Sequence, residues 1–326
     1  MFSYRSLLKQ AWNIIWKHKY LWFFGLFASL TAIGGSVEYQ LIAQKFSQNL
    51  VNSSYDSLNG IILLGEILED LYLGIIQVFQ YDFWSILNAI TFSLISLTLL
   101  FVFIWLAITS QAALVYKVKR ILSPKKKTND LGIRQGLTVG HQHFWTVLGL
   151  NILIKILISL AFFIISLPLL FMLLNDTSVL VVAYTILFVV FVPVAVSLSL
   201  LVKYAIAYHV LNGKPLVASL EAGWKLFKNN WLVSLEMAII LFIINFLVSL
   251  GILLLLSIFV FPLFWMSLIL QMTGVIMVTL LVSLVVVVIL GSGLTAFQIS
   301  AWTSLFLRLE DSGATAKLER IFKKRI

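Results

Sequence analysis

Long apolar runs, separated by segments whose charge alternates in sign, constrain this chain more than any other feature. Of its 23 Lys and Arg, 21 gather at the N-terminus, in 117–134, in 203–228 and in the tail from Arg308. Lys45 and Lys155 are the two exceptions. Glu38, Asp56, Glu66, Glu69, Asp70, Asp82 and Asp176 fall in the complementary segments. Loops rich in Lys and Arg stay on the cytoplasmic side of a membrane. The alternation therefore predicts an even number of crossings with both termini inside, in the cell (plasma) membrane.

Composition agrees. Hydrophobic residues make up 61 % of the chain and charged residues 11 %, whereas a soluble domain holds about 45–50 % and about 25 %. The net charge of +10 is explained by positive-inside loops and anionic inner-leaflet lipid, without nucleic acid as a partner. There is no cysteine, which excludes disulfides, thiolate metal sites and cysteine nucleophiles. Lys17-His18-Lys19 followed by apolar sequence has the look of a signal peptide. An amphipathic segment precedes it, however, and no clear small-x-small cleavage site follows.

A crossing helix needs ~20 apolar residues. The runs 20–37, 83–116, 144–174, 178–210, 231–264 and 268–307 meet or approach that length, giving six spans in three hairpins. Pro168, Pro193 and Pro262 are candidate kinks or ends. Each hairpin has an amphipathic lead-in. In the first, Tyr4, Leu7, Leu8, Ala11 and Ile15 oppose Ser6, Lys9, Gln10, Asn13 and Lys17. In the second, Ile133, Leu137 and Phe144 oppose Arg134, Gln135, Thr138, His141 and Gln142. In the third, Leu216, Leu220, Trp224, Phe227 and Trp231 oppose Glu221, Lys225, Lys228 and Asn229. The spacing predicts helices lying at the membrane surface. Each ends in a polar cluster and an aromatic: Lys17-His18-Lys19-Tyr20, His141-Gln142-His143-Phe144 and Lys228-Asn229-Asn230-Trp231.

The expected fold is thus an all-α polytopic membrane protein. Its six transmembrane helices form three hairpins, each preceded by an amphipathic interfacial helix. The chain forms one integral membrane domain over 1–326, with repeat-like units of about 1–120, 121–212 and 213–310 and a basic tail, 311–326. The segment 38–82 is expected outside, partly as a surface helix. The run 123–130 is expected as a solvated loop ending in a helix cap at Asp130.

Lys155 is the most unusual residue. Asn151, Lys155 and Ser159 recur at helical spacing, one polar stripe on one face. A charge at that depth costs at least ~2.5–3.5 kcal/mol, so it should face protein or water. Two readings stay open: a proton or anion site, and a structural group that pairs with Glu236 or snorkels. Asn88, Asn245 and Gln298 are expected to hydrogen-bond across helices. Lys9, Lys17, Lys19, Arg134, Lys225 and Lys228 are candidate contacts to headgroups. His18, His141, His143 and His209 show no ligand spacing, so neither metal nor cofactor is expected. Gly-rich phosphate loops, His-Glu-x-x-His and Gly-x-Ser-x-Gly are missing, so no enzyme activity is expected. Gly291-Ser292-Gly293 suits close helix packing.

The pattern Ala11-Trp12, Lys17, Lys19, Leu21-Trp22 and Gly25-Leu26, with the later run Ala222-Gly223-Trp224-Lys225-Leu226-Phe227-Lys228-Asn229-Asn230, resembles a bacterial and archaeal group of six-span membrane proteins. That group includes the membrane domain attached to some glycerophosphoryl diester phosphodiesterases. The attached catalytic barrel, with its acidic metal ligands, has no counterpart here. The resemblance implies a stand-alone module that handles lipid or supports a partner enzyme. The leading expectation is a non-catalytic module that binds membrane lipids or a membrane or peripheral partner protein. The alternative is a transporter or channel for a small solute, built on the Lys155 stripe.

Overall fold

The computed structural model describes residues 4–31, 83–123, 132–174 and 178–312. The expected outer segment, the Lys125–Lys127 run, Asp130 and the basic tail lie outside them. Every described element is helical: α1 (Tyr4–Lys17), α2 (Leu21–Thr31), α3 (Phe83–Leu122), α4 (Ile133–Gln142), α5 (Phe144–Leu174), α6 (Ser178–Asn212), α7 (Leu216–Asn229), α8 (Trp231–Leu255), α9 (Phe261–Ile269) and α10 (Thr273–Ser312). A five-residue π-helical turn, Leu256–Val260, joins α8 to α9. Among the described residues, five stretches are long and apolar enough to cross a membrane: α3, α5, α6, the α8–α9 run and α10. Within the first expected span, the described helix Leu21–Thr31 is shorter.

The chain divides into two compact units. In the first, covering 4–31, 106–154 and 198–312, the packed core lies where the helices carry their basic residues, here called the basic end. Ala107, Ala112, Ala113, Ala205, Ala296 and Ala301 are all buried there. Lipid tails are as apolar as Leu, so membrane helices gain little from burying large side chains and associate through small residues and hydrogen bonds. The alanines fit that rule, but the core also buries large side chains, among them Phe24, Leu114, Leu150, Tyr204, Met237 and Phe306. Beyond it, α8, α9 and α10 expose large apolar side chains such as Phe246, Phe259, Met277 and Leu284. The second unit, 83–105 with 155–197, is also exposed along α3, where Phe92, Leu94 and Leu97 are open. Phe162 and Phe191 pack there, with ring centroids 5.9 Å apart.

The lead-ins fold as helix, short corner, helix. His143 forms the second corner (φ −99°, ψ 3°) and Asn230 the third (φ −131°, ψ 30°). Their carbonyls start the next helix by accepting from Val147 N–H and Ser234 N–H, as His18 does from Leu21 N–H. The predicted faces hold for α1: Tyr4, Leu7, Ala11 and Ile15 are buried, and Ser6, Lys9, Gln10, Asn13 and Lys17 are exposed. In α4 and α7 the residues packed against other helices are different ones. Ile133, Trp224 and Trp231 are exposed, and the buried residues are Gly136 and Gly140 in α4 and Ser219 and Gly223 in α7. A Cβ on Gly140 would stand 2.2 Å from the Thr109 carbonyl oxygen. These helices pack by backbone approach rather than through a large apolar stripe.

Several boundaries also shift. α3 runs to Leu122, past the expected end at 116. The last hairpin turns at 270–272, where Gln271 takes φ 52°, rather than at 264–268. Pro262 does not end the helix, because it sits in the first turn of α9, where its missing N–H is tolerated. α5 and α6 continue through Pro168 and Pro193. α4 starts at Gly132, without a side-chain cap.

Candidate functional site

Polar contacts between helices concentrate at the basic end of the first unit. Lys117 is fully buried and donates to Gln135 Oε1 at 2.9 Å. Lys119 Nζ donates to the Leu211 carbonyl at 3.1 Å, and Asn212 Nδ2 to Glu310 Oε1 at 2.6 Å. The Tyr204 and Ser234 hydroxyls bond at 2.7 Å. Tyr4 donates its hydroxyl proton to the Glu236 carboxylate. Asn151 Nδ2 donates to Gln111 Oε1 at 3.0 Å and to the Val147 carbonyl at 2.9 Å. Each such bond is worth about 0.6 kcal/mol, rarely above about 1.7, in a membrane protein. As a set they join α1, α3, α4, α5, α6, α8 and α10.

The histidines split. His209 Nδ1 lies 2.6 Å from the Lys214 carbonyl, so it carries the proton and leaves Nε2 as an acceptor. His143 Nδ1 then donates to that nitrogen at 3.0 Å. Burial first, and the neighbouring His209 second, hold His143 below the ordinary histidine range. Among the described residues, no three His, Asp or Glu side chains converge as metal ligands.

The sequence-predicted site residues do not form one constellation. Asn151 is spent on the bonds above, while Lys155 and Ser159 are exposed on α5. Glu236 takes the Tyr4 hydroxyl, a partner the sequence reading did not anticipate. Asn245 is half-buried, and Asn88, Asn245 and Gln298 make no side-chain hydrogen bond among the described residues, against expectation. The glycine expectation for 291–293 is met in part. Ser292 is buried, and its carbonyl oxygen would stand 2.2 Å from a Cβ on Gly25. Gly293 lies under the Trp22 ring, and Gly291 faces open space. Lys9, Lys17, Lys19, Arg134, Lys225 and Lys228 are all exposed.

The cavity lies elsewhere. An open groove of about 410 Å³ runs along α8, the π turn, α9 and α10, lined by Leu253, Leu256, Phe261 and Leu280 with the serines at 249, 257 and 283. The π turn shapes it. Phe261 N–H reaches back to the Leu256 carbonyl. Pro262 has no N–H to give to the Ser257 or Ile258 carbonyl. π turns recur at functional sites, and small-ligand sites typically enclose about 300–1,000 Å³. The wall is apolar with hydroxyls set into it, which suits a hydrocarbon chain bearing few polar groups. The sequence reading missed this site, because periodicity gives no warning of a π turn.

No protein-family model matches the chain, and neither a curated protein nor a solved structure does.

Proposed function

We propose that this protein is a non-catalytic integral membrane module that binds lipid and serves envelope or membrane homeostasis. It crosses the cell membrane six times, with both termini and the basic end in the cytoplasm. The groove carries this reading. It is open, apolar and set on helices whose surroundings are hydrocarbon. In the Asn151, Lys155 and Ser159 stripe, Asn151 is bonded to Gln111 and the other two side chains are exposed, so the solute-transport alternative has less support.

The aromatic residues support the placement. Trp12, Trp16, Trp145, Trp224 and Trp231 are exposed at the basic end, and Trp84 and Trp265 are exposed near the other. Trp marks both headgroup layers of a bilayer. The resemblance carried by Ala11-Trp12 and by 222–230 points the same way, toward a lipid-handling membrane module. A threefold repeat is part of the proposal. The buried glycines Gly136 and Gly223 stand 87 residues apart, the spacing of the second and third corners.

The test is lipid retention. Purified chain should carry lipid through detergent exchange, read by native mass spectrometry. Leu280→Trp, which fills the groove, should reduce the retained lipid several-fold, on the order of the loss of about 1–2 kcal/mol of apolar contact. Equal retention by both proteins would remove the groove from the account.

A further inference from the structure

Two polar groups at the basic end stand apart from the interhelical bonds. The Tyr20 hydroxyl, like Trp22 Nε1, Ser110 Oγ and Ser300 Oγ, is buried without a hydrogen-bond partner among the described residues. The Arg120 guanidinium, in the last turn of α3 and half-buried, has no hydrogen bond or ion pair among the described residues. A buried donor left unsatisfied is costly, and a charged group beside such an orphan gives a ligand two partners at once.

The packing brings the two groups to one corner. Phe24 of α2 presses its ring on Gly136 of α4, and Lys117 of α3 bonds Gln135, the adjacent residue of α4. Tyr20 precedes Phe24 by four residues, and Arg120 follows Lys117 by three. Each therefore lies one turn nearer the basic end, on the face that meets α4. The Arg120 charge reaches the Tyr20 phenol, and the His18 ring packs on the Tyr20 ring at 5.9 Å. Lys17 and Lys19 are exposed beside them.

Among the described residues of the segments that build the corner, 4–31, 83–123 and 132–142, there is no Asp or Glu. Asp130 lies outside them. A guanidinium in such a field takes an anion, and its planar fork fits phosphate oxygens. Depth decides the source of the phosphate. Tyr20 immediately precedes the apolar helix α2, and Arg120 closes a 40-residue helix that is apolar over most of its length. Trp12 and Trp16 are exposed on neighbouring α1. That is the level of lipid headgroups.

We propose that the Tyr20 hydroxyl and the Arg120 guanidinium hold the phosphate of an anionic phospholipid, with Lys17 and Lys19 at the rim selecting against zwitterionic headgroups. This rests on the lipid-binding reading but concerns a site separate from the groove.

The full chain, reconstituted in phosphatidylcholine nanodiscs containing a minor share of phosphatidylglycerol, supplies the test. Native mass spectrometry reads the ratio of the two lipids retained. The wild type should enrich phosphatidylglycerol. Arg120→Gln should lower that enrichment about tenfold, the loss of a charge-assisted bond. Tyr20→Phe should lower it less, and Arg120→Lys should keep part of it. Arg5→Gln, in the first turn of α1, removes an equal charge from an exposed position and should change nothing. Circular dichroism checks that each variant folds, and the isosteric Tyr20→Phe keeps the test open if Arg120→Gln does not. Wild-type enrichment in folded Tyr20→Phe and Arg120→Gln overturns the site. Equal loss in Arg5→Gln shows a diffuse surface charge and overturns it as well. Displacement of phosphatidylglycerol by inorganic phosphate at low concentration overturns the choice of lipid as the source. Loss of total lipid only in Leu280→Trp, with enrichment independent of Arg120, would sink this site and leave the groove reading standing.

Discussion

Gly140 shows at the scale of one residue how this protein is held together. Its missing side chain lets α4 reach the α3 backbone at Thr109, a contact any Cβ would push apart. Gly140→Ala should cost about 1–3 kcal/mol, as overpacking does. Gly291→Ala is the control, because a Cβ there meets open space; it should be neutral or gain about 0.5–1 kcal/mol from helix propensity. Thermal unfolding in detergent compares the two, and an equal effect would refute the packing argument. Sequence alone flagged Gly291 as a packing glycine and passed over Gly140, because composition does not say which glycine meets a neighbour's backbone. Lys117 was hidden for a related reason. In a basic stretch a lysine reads as solvated, and what buries this one is an α4 residue 18 positions later.

At the scale of elements, the α4–α5 corner is tied to the end of α6 by the His143–His209 pair, and this tie is sensitive to pH. His143 has its pKa lowered in the fold, mainly by burial and then by the neighbouring His209. The native state therefore prefers the neutral ring. Its contribution is full above about pH 6.5, the unfolded value, and is lost as pH falls below that. Double protonation would also set Nδ1–H against Nε2–H across the 3.0 Å contact. The melting temperature should drop between about pH 6.5 and pH 5, and His143→Gln should flatten the drop. A variant with the wild-type slope would assign the effect to other groups. Helix positions were largely legible from apolar run length, so α5 matches its expected bounds. The helix-packing faces of α4 and α7 were not, because hydrophobic periodicity marks Ile133 and Trp224 as a membrane-facing stripe and gives glycine no weight.

At the largest scale, the described part of the first unit gathers its interhelical polar bonds and its core at the basic end and leaves bare apolar surface beyond it. The alternation of charge already implied the membrane. It could not reveal the groove, which depends on a π turn and a proline inside one apolar run. The orientation of the molecule underlies both proposed lipid sites, and the chain's lack of cysteine makes it directly measurable. Gln271→Cys, in the last hairpin turn, and Lys228→Cys, at the third corner, each introduce a single thiol. On intact cells, a membrane-impermeant thiol reagent should label position 271 at once and position 228 only after permeabilisation. Labelling of 228 on intact cells, with 271 protected, would contradict the account.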